Sequence, residues 1–324
     1  MRVLFMVRPD LCRVIAGDTI QILKTKEELE KMGIEVFLNR NMDVPGGQFD
    51  LAHIFNLSRP RETKLQLKAA KEAGLLVALS PIYWNREKYL QLEKPHLLSR
   101  WEKEQELRAK ILEKVDFLLP NGKGEFELIQ SDFKVKLPGR IIPNGINCFP
   151  DVKKEEFKYL LMVARFSRRK NQLSLLRAIE ELDLPLILAG PVNDPGYLNV
   201  CRREAGSQTR FLWAQTPGEL NKLYSECAVH VLPSYFETPG LATLEAAGMG
   251  CKIVSTREGT AEEYLGAEAF YCDPCDVESI REAVLKAWSD PPSSLLKEKV
   301  RREFNWQRAA FETREAYKEL LGRN

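Results

Sequence analysis

Ala228-Val-His-Val-Leu-Pro-Ser-Tyr-Phe-Glu-Thr-Pro-Gly-Leu-Ala-Thr-Leu-Glu-Ala-Ala-Gly248, followed by Lys252-Ile-Val-Ser255, is the stretch on which the fold turns. An apolar run of strand length leads through a polar turn into a segment of helical spacing, and a second apolar run follows. Parallel sheets with crossover helices are built from this unit. Within it Thr238 reads as a helix N-cap and Pro239 as the first helical residue, where its missing N–H costs nothing. Gly240 leaves the opening turn bare, so a ligand can approach free N–H groups at the positive end of a helix. Thr238, Leu241 and Glu245 then share one face. Glu237 lies just before the helix, and a rise of 1.5 Å per residue separates the carboxylates of Glu237 and Glu245 by roughly 10–12 Å along the axis. A helix start suited to an anion, flanked by two carboxylates, fits an extended ligand with hydroxyls at both ends and phosphates in the middle. A nucleotide-sugar is such a ligand. The bland alternative is a loop carboxylate and a solvated helix residue in a chain that is 29% charged.

Working outward, short apolar runs alternate with amphipathic ones along the whole chain. In the first half, strands are expected at 3–7, 34–38, 51–55, 75–79 and 117–119, with helices at 18–32, about 62–73 and 100–114. Ile141-Ile-Pro-Asn-Gly145 reads as a strand leading into a turn. The second series has strands at 157–163, 184–189, 209–212, 229–232 and 252–255. Its helices are expected at 172–181, 217–227, over the segment holding Glu245, at 277–288 and from about 293 onward. The two series join near Cys148–Lys154. They imply an α/β protein of two doubly wound, Rossmann-like domains facing each other across a cleft, one spanning 1–150 and the other 151–306. Ligands in such sheets sit at the carboxyl ends of strands.

Length supports this division, because 324 residues exceed what one core usually holds. Lys and Arg number 48 against 46 Asp and Glu, a net charge of +2 that gives no electrostatic case for nucleic acid as a partner. No apolar run reaches the length of a membrane span. Met1-Arg-Val-Leu-Phe-Met-Val-Arg8 has too few apolar residues between its arginines for a signal peptide and reads as a first buried strand, so a cytoplasmic protein is expected. Arg59, Arg61, Lys64, Lys68 and Lys71 form a basic stripe that leaves open a peripheral contact with the inner membrane face. A solvated face is the simpler reading of it.

Seven scattered cysteines indicate reduced thiols. The tight pair Cys272-Asp-Pro-Cys275 lacks a second pair of ligands: the only histidines are His53, His96 and His230, none at ligand spacing. Dinucleotide and P-loop signatures are absent. Gly122-Lys-Gly124 is followed by Glu127 where a third glycine belongs, and Gly248-Met-Gly250 follows a helix rather than a strand.

A second constellation is Tyr159-Leu-Leu-Met-Val-Ala-Arg165-Phe-Ser-Arg-Arg-Lys170-Asn-Gln, a buried strand running through a basic turn into a helix. Arg165 falls at the strand's carboxyl end and Lys170 at the start of the helix, where a cation opposes the macrodipole. An anionic ligand between them relieves that conflict, with Arg as a fork for phosphate oxygens and Lys as a mobile point charge. Arg168 and Arg169 read as a solvated patch.

With these residues in view, the chain resembles the retaining glycosyltransferases of family 4, which have the two-domain GT-B fold. Ile142-Pro-Asn-Gly-Ile146 is similar to the family's interdomain segment, and Val163-Ala-Arg165 with Lys170 to its diphosphate-binding residues. Glu237 through Glu245 matches its double-glutamate motif. Phe304-Asn-Trp306 with the last helix, about 307–324, resembles its return to the first domain. The resemblance implies that Arg165 and Lys170 hold the donor diphosphate and that Glu237 contacts the donor sugar. The N–H groups of the segment Thr238-Pro239-Gly240-Leu241 would join that contact, and Glu245 would contact the ribose. Trp213, in Leu212-Trp-Ala214, would lie beside the nucleobase. Two departures concern the first domain. A glycine pair common in the family is here Ala16-Gly17, still a bare helix start near the donor phosphates or the acceptor. A histidine common after the fourth strand is here Ser80, in Ala78-Leu-Ser-Pro-Ile-Tyr-Trp84, while His53 sits on another strand. Ser80 and His53 are the acceptor-side candidates, although a buried structural histidine is the simpler reading of His53.

The expected reaction transfers a sugar from a nucleotide-sugar to a glycan, lipid-linked or small-molecule acceptor, with no cofactor and no metal, since no Asp-x-Asp motif occurs. Glu237, Arg165 and Lys170 carry the catalytic roles. A non-catalytic nucleotide-sugar-binding subunit and a sugar-nucleotide epimerase of the same fold remain as alternatives.

Overall fold

Two parallel sheets organise the chain, and the computed structural model describes residues 1–147 and 158–322. The chain divides into two compact units, Met1–Gly145 with Phe304–Asn324 and Ile146–Glu303. The joint expected near Cys148–Lys154, and the boundary at 150/151, lie outside the described residues.

The first unit runs β1 (Arg2–Met6), α1 (Gly17–Lys31), β2 (Glu35–Asn39), β3 (Leu51–Phe55), α2 (Pro60–Glu72), β4 (Leu76–Ser80), α3 (Glu87–Glu93), α4 (Leu98–Leu112), β5 (Phe117–Leu118) and α5 (Lys123–Phe133). Its strands pair in the order β2-β1-β3-β4-β5, all parallel. β1 and β3 are near-continuous apolar runs because helices cover both faces of a parallel sheet. The strand expected at 141–145 does not form. Its neighbourhood is a segment joined to β5 by a bridge from Gly139 to Leu118 and, just beyond β5, by a hydrogen bond from Ile142 N to the Pro120 carbonyl, where Pro143 cannot donate to a ladder.

The second unit holds β6 (Tyr159–Val163), α6 (Gln172–Ala178), β7 (Leu186–Ala189), α7 (Pro195–Glu204), β8 (Thr209–Leu212), α8 (Pro217–Glu226), β9 (Cys227–Leu232), α9 (Leu241–Gly248), β10 (Lys252–Thr256), α10 (Ala261–Leu265), β11 (Phe270–Cys272), α11 (Val277–Ser289) and α12 (Leu295–Glu303). The strands lie in the order β11-β10-β9-β6-β7-β8, again all parallel. Helix starts follow local chemistry. Asp194 accepts from Tyr197 N at 3.0 Å with Pro195 at the first helical position of α7, and Thr216 and Glu219 form a reciprocal capping box on α8.

The helical structure expected from about 293 onward, with a last helix at about 307–324, forms as two helices. α12 ends at Glu303, and α13 (Trp306–Leu320) restarts in the first unit behind an Asn305 cap that accepts from Arg308 N at 2.8 Å. α13 packs against α1 and beside β4.

Strand order fixes where ligands can sit. In the second unit the crossovers from β6 run through β7 to β8 on one side, and the chain then returns to place β9 on the other side of β6. The loops after β6 and β9 therefore leave neighbouring strands in opposite directions, which opens a crevice at their carboxyl ends. In the first unit the equivalent switch lies between β1 and β3.

Candidate active site

The loops after β6 and β9 are stitched together at that switch point. Tyr235 N donates to the Arg169 carbonyl at 3.1 Å, and Arg169 Nη1 returns a bond to the Phe236 carbonyl at 3.1 Å. Asn171, left-handed at φ +63°, sends Nδ2 to the carbonyls of Pro233 at 3.0 Å and Pro274 at 2.8 Å. Asn tolerates that backbone region and can bond to main chain, so it holds the basic turn in place. Arg169 is thus a brace for the β9 loop rather than part of a solvated patch, which corrects the sequence reading. Arg168 is exposed, its guanidinium 5.6 Å from the Tyr197 ring.

Lys170 lies in a short turn ahead of α6, and its Nζ donates to Glu237 Oε1. The two side chains are 12% and 4% exposed. Glu237 was expected as a loop carboxylate or a ligand contact; it is a buried partner of Lys170. Relief of the cation beside the helix start comes first from this carboxylate, not from a ligand alone. Burial pushes the Lys170 pKa down to about 8 against the attraction of Glu237, with Arg169 and Arg165 adding repulsion. For Glu237, burial works to raise the pKa, but Lys170 and Arg169 outweigh it and hold the carboxyl below its ordinary value. Both members are charged at neutral pH. Two cations, Lys170 and Arg169, therefore act on one carboxylate, and Arg165 lies near enough to repel Lys170, an arrangement that suits a further anion. Beneath them His230, wholly buried on β9, is kept neutral: burial, then Lys170, push its pKa down to about 3.

Glu237 is locked through its backbone. Its N–H donates to the Glu258 carbonyl at 3.1 Å, and its own carbonyl accepts from Thr260 N at 2.9 Å. Gly259 between them has φ +104°, and a Cβ there would meet the Glu237 carbonyl oxygen at 2.1 Å. This extended bridge carries the chain straight past Glu237, and it explains why the expected cap fails. Thr238 is not the N-cap and Pro239 is not helical. The residues from 238 are used to turn, Gly240 at φ +85° is the N-cap, and α9 begins at Leu241. The axial spacing and shared face inferred from a helix that included Thr238 do not hold. A bare start survives, since no side chain caps α9 and the N–H groups of Leu241 and Ala242 are beyond intrahelical reach. Gly259 and Asn171 were missed in the sequence; a Gly closing a polar run after a strand, and an Asn before a helix, were the available signals.

Glu245 accepts from Tyr224 Oη at 3.2 Å. Burial pushes its pKa up to about 7, against the lowering effect of that hydrogen bond. Arg165 is half-buried just beyond β6, its carbonyl held by Gln172 Nε2 at 3.0 Å. Trp213 follows β8 at the same end of the sheet, 44% exposed, with the Arg202 guanidinium 5.0 Å from its ring.

In the first unit, Gly17 opens α1 after Ala16 with no side-chain cap on the helix. His53 and Ser80 are brought together, but closed to solvent at 1% and 2% exposure. His53 Nε2 pairs with Ser80 Oγ at 2.9 Å and Nδ1 with Tyr317 Oη at 2.6 Å, so both ring nitrogens are taken by protein groups. Burial pushes the His53 pKa down to about 3, and the ring is neutral. The arrangement is that of a structural histidine. The basic stripe on α2 is also partly spent: Arg59 forks onto Asp10 at 2.9 Å twice, Lys71 pairs with Asp116, and Lys68 lies 3.6 Å from Glu72.

Among the described residues no group of three or more His, Cys, Asp or Glu side chains is placed to hold a metal ion. Cys272 is buried and Cys275 exposed, both as free thiols. No helix among the described residues is long and apolar enough to cross a membrane.

The residues so assembled lie within a recognised family segment. Residues 147–304 match the model of the glycosyl transferases group 1. The O-antigen chain mannosyltransferase B of Escherichia coli is 28% identical over 189 residues, covering 53% of this chain and 50% of that protein. This chain spans half or less of the length of the curated relatives it matches first. Among solved structures, sucrose-phosphate synthase from Thermosynechococcus elongatus superposes with a TM-score of 0.83 at 19% identity, covering 99% of each chain. Anabaena HepE, solved with UDP and glucose, gives 0.72 at 14% identity, covering 97% of this chain and 98% of that one. These likenesses establish the fold as GT-B, two Rossmann-like domains. Arg165, Lys170, Glu237 and Glu245 all lie within residues 147–304, the segment that matches the glycosyl transferases group 1 model.

Proposed function

We propose that the protein is a metal-independent, retaining glycosyltransferase that moves a sugar from a nucleotide-sugar to a glycan, lipid-linked or small-molecule acceptor. The observation that carries this reading is the buried Lys170–Glu237 pair at the strand switch of the second unit, with Arg165 beside it. Breaking the sugar–phosphate bond develops positive charge on the anomeric carbon and negative charge on the departing diphosphate. Arg165, Lys170 and the N–H groups of Leu241 and Ala242 are preorganised cations and dipoles for that diphosphate, and they supply its stabilisation without a metal. The departing phosphate oxygen takes the proton of the acceptor hydroxyl, which then bonds to the anomeric carbon on the face the diphosphate leaves. Glu237, engaged by Lys170, orients the sugar and supports its positive charge rather than attacking it. A UDP complex in a protein of the same fold agrees with a nucleoside diphosphate as the leaving group.

The test begins with a panel of nucleotide-sugars screened by thermal shift, followed by donor turnover with and without chelator. Arg165→Ala and Lys170→Ala are each expected to slow turnover about 30- to 1000-fold, the worth of one contact to a developing charge. The double variant is expected to cost less than the sum, because both side chains act on one diphosphate. Arg168→Ala is the control and stays within a few-fold of the parent. Arg169 cannot serve as one, because it braces the Phe236 carbonyl. Turnover abolished by chelator and restored by magnesium or manganese contradicts metal independence. Small, equal effects at Arg165, Lys170 and Arg168 contradict the donor site itself.

A further inference from the structure

We propose that His230 is a positioning residue of the donor site, an inference that rests on the transferase reading above for the diphosphate that Arg165 meets. Its imidazole holds the end of β6, from which Arg165 leaves, against β9, from which Glu237 leaves. The middle of β9 is an unexpected place for a polar ring. Cys227–Leu232 is buried along its whole length, and His230 stands between Val229 and Val231 with no exposed surface. An apolar side chain would bury there at no polar cost, whereas each imidazole nitrogen taken out of water needs a partner.

One nitrogen has found its partner. Val163 N donates to His230 Nε2 at 3.4 Å, a long hydrogen bond. A neutral imidazole that accepts at Nε2 carries its proton at Nδ1. Nδ1 is buried and has no hydrogen-bond partner among the described residues. The ring thus keeps an unmet donor in place, and what it gains is the contact at Nε2. Its surroundings belong to the site: the Tyr224 ring, which serves Glu245, lies 6.3 Å away, and Lys170 and Glu237 are near enough to act on its charge.

The contact falls where the sheet opens. The register between β6 and β9 runs from Tyr159 with Cys227 through Leu160 with Val229 to Leu161 with His230, while β6 continues to Val163 and β9 to Leu232. Past that last pair the two chains head for different loops, one for the basic turn and the other for Glu237. Val163 ends β6, and Ala164 alone separates it from Arg165. The imidazole therefore reaches beyond the backbone register to tie down the final residue of β6. On the other flank Ala164 N donates to the Ala189 carbonyl at 2.9 Å, and Gln172 Nε2 holds the Arg165 carbonyl at 3.0 Å. Arg165 is thus fixed from β7 and α6, and His230 supplies the hold from β9. Groups that meet a reacting ligand need to stand within about 0.5 Å of their productive places, which is what such supports secure.

Isothermal titration of the full chain with UDP, GDP, ADP and CDP selects the tightest binder, and that nucleotide is the probe for every variant. His230→Leu is expected to bind it roughly 10- to 100-fold more weakly. In the Arg165→Ala background the same change should add less than about twofold, because His230 acts through Arg165. His230→Gln sets an amide oxygen at the reach of Nε2 and should restore most of the affinity. His230→Asn, whose amide reaches only as far as Nδ1, should not. Thermal melts run the other way: Leu removes the unmet Nδ1 donor and melts no lower than the parent, while Gln buries an extra amide and melts lower. A merely structural histidine would make affinity follow stability. The proposal is overturned if the loss in His230→Leu persists in full beside Arg165→Ala, if Gln binds no better than Leu, or if affinity tracks the melting temperature across the variants. Binding by the parent that His230→Leu leaves intact overturns this proposal alone. A parent that binds none of the four nucleotides overturns the transferase reading, and this proposal with it.

Discussion

Lys170 sits where its charge is costly, and the pH dependence of the reaction should record it. Burial holds its pKa near 8, so the ammonium is lost as pH rises through that value and, with it, the contact to the leaving diphosphate that the proposed reaction assigns to this side chain. The value of kcat/KM, which reports the free enzyme, is expected to fall on the alkaline side with a midpoint near 8; the midpoint for kcat lies higher, because the bound diphosphate stabilises the ammonium. Lys170→Arg should remove this limb, since a guanidinium does not titrate there. A limb unchanged in that variant would show that another group sets it. Glu245 gives a second, independent sign. Its pKa, raised to about 7 by burial, makes it a carboxylate only above neutrality, so a role as acceptor for ribose hydroxyls requires nucleoside diphosphate binding to strengthen as pH rises through 7. Tyr224→Phe deletes the hydrogen bond that favours the charged form and should move this transition to higher pH. Dissociation constants measured from pH 6 to pH 9 for both forms check it; a flat profile would remove Glu245 from the nucleotide contact.

At the scale of the element, the loop from Pro233 to Gly240 is positioned by partners distant in sequence, and this decides what a sequence reader can see. In the second unit β6, β7, β9 and β10 were legible, because a strand buried on both faces announces itself as an apolar run between turn residues, and the partly exposed β8 was read too, but the three-residue β11 was not expected. The basic turn after β6 and the two glutamates were legible too, as residue types at the end of a strand. The start of α9 was not. Thr238-Pro239 has the local chemistry of a helix opening, yet the parallel bridge between Glu237 and Gly259 keeps the chain extended, a tertiary pairing that no local rule contains. The pairing of Lys170 with Glu237, and the brace from Arg169, were hidden for the same reason: each spans 67 residues. The bridge makes a sharp prediction. Gly259→Ala places a methyl 2.1 Å from the Glu237 carbonyl oxygen at a left-handed backbone position, so the Glu237 loop must shift. Turnover should fall at least as far as in Glu237→Gln, while the chain remains folded by circular dichroism. Wild-type turnover in Gly259→Ala would mean that the exact place of Glu237 is unimportant.

For the whole molecule, the decisive feature is that the chain closes the first unit last. After α12 it re-enters that unit at Phe304, and the backbone of Asn305 and Trp306 lies where a Cβ on Gly145 would approach to 2.4 Å. The outgoing and returning segments therefore cross in contact, which gives Gly145 in the Ile142–Ile146 stretch a steric reason to be glycine. Beyond the crossing, α13 buries Trp306, Ala309, Ala310, Thr313, Ala316 and Tyr317. Tyr317 also completes the hydrogen bonding of His53 in the middle of β3. A chain ending at Glu303 would strip this face from α1, leave His53 Nδ1 without its partner and expose a core formed by residues 150 or more positions away. It is expected to lose the first unit's cooperative unfolding while the second unit, complete within Ile146–Glu303, still melts as a unit. Tyr317→Phe is the mild form of the same change: it keeps the ring in the core and removes only the hydroxyl, leaving a buried imidazole nitrogen unsatisfied at a cost of about 1–3 kcal/mol. Calorimetry resolves the two cases. The truncation should abolish one transition, and Tyr317→Phe should lower the same transition while leaving the other in place. If Tyr317→Phe leaves both unmoved, the Ser80–His53–Tyr317 chain contributes nothing to holding α13, and the closing of the first unit rests on apolar packing alone.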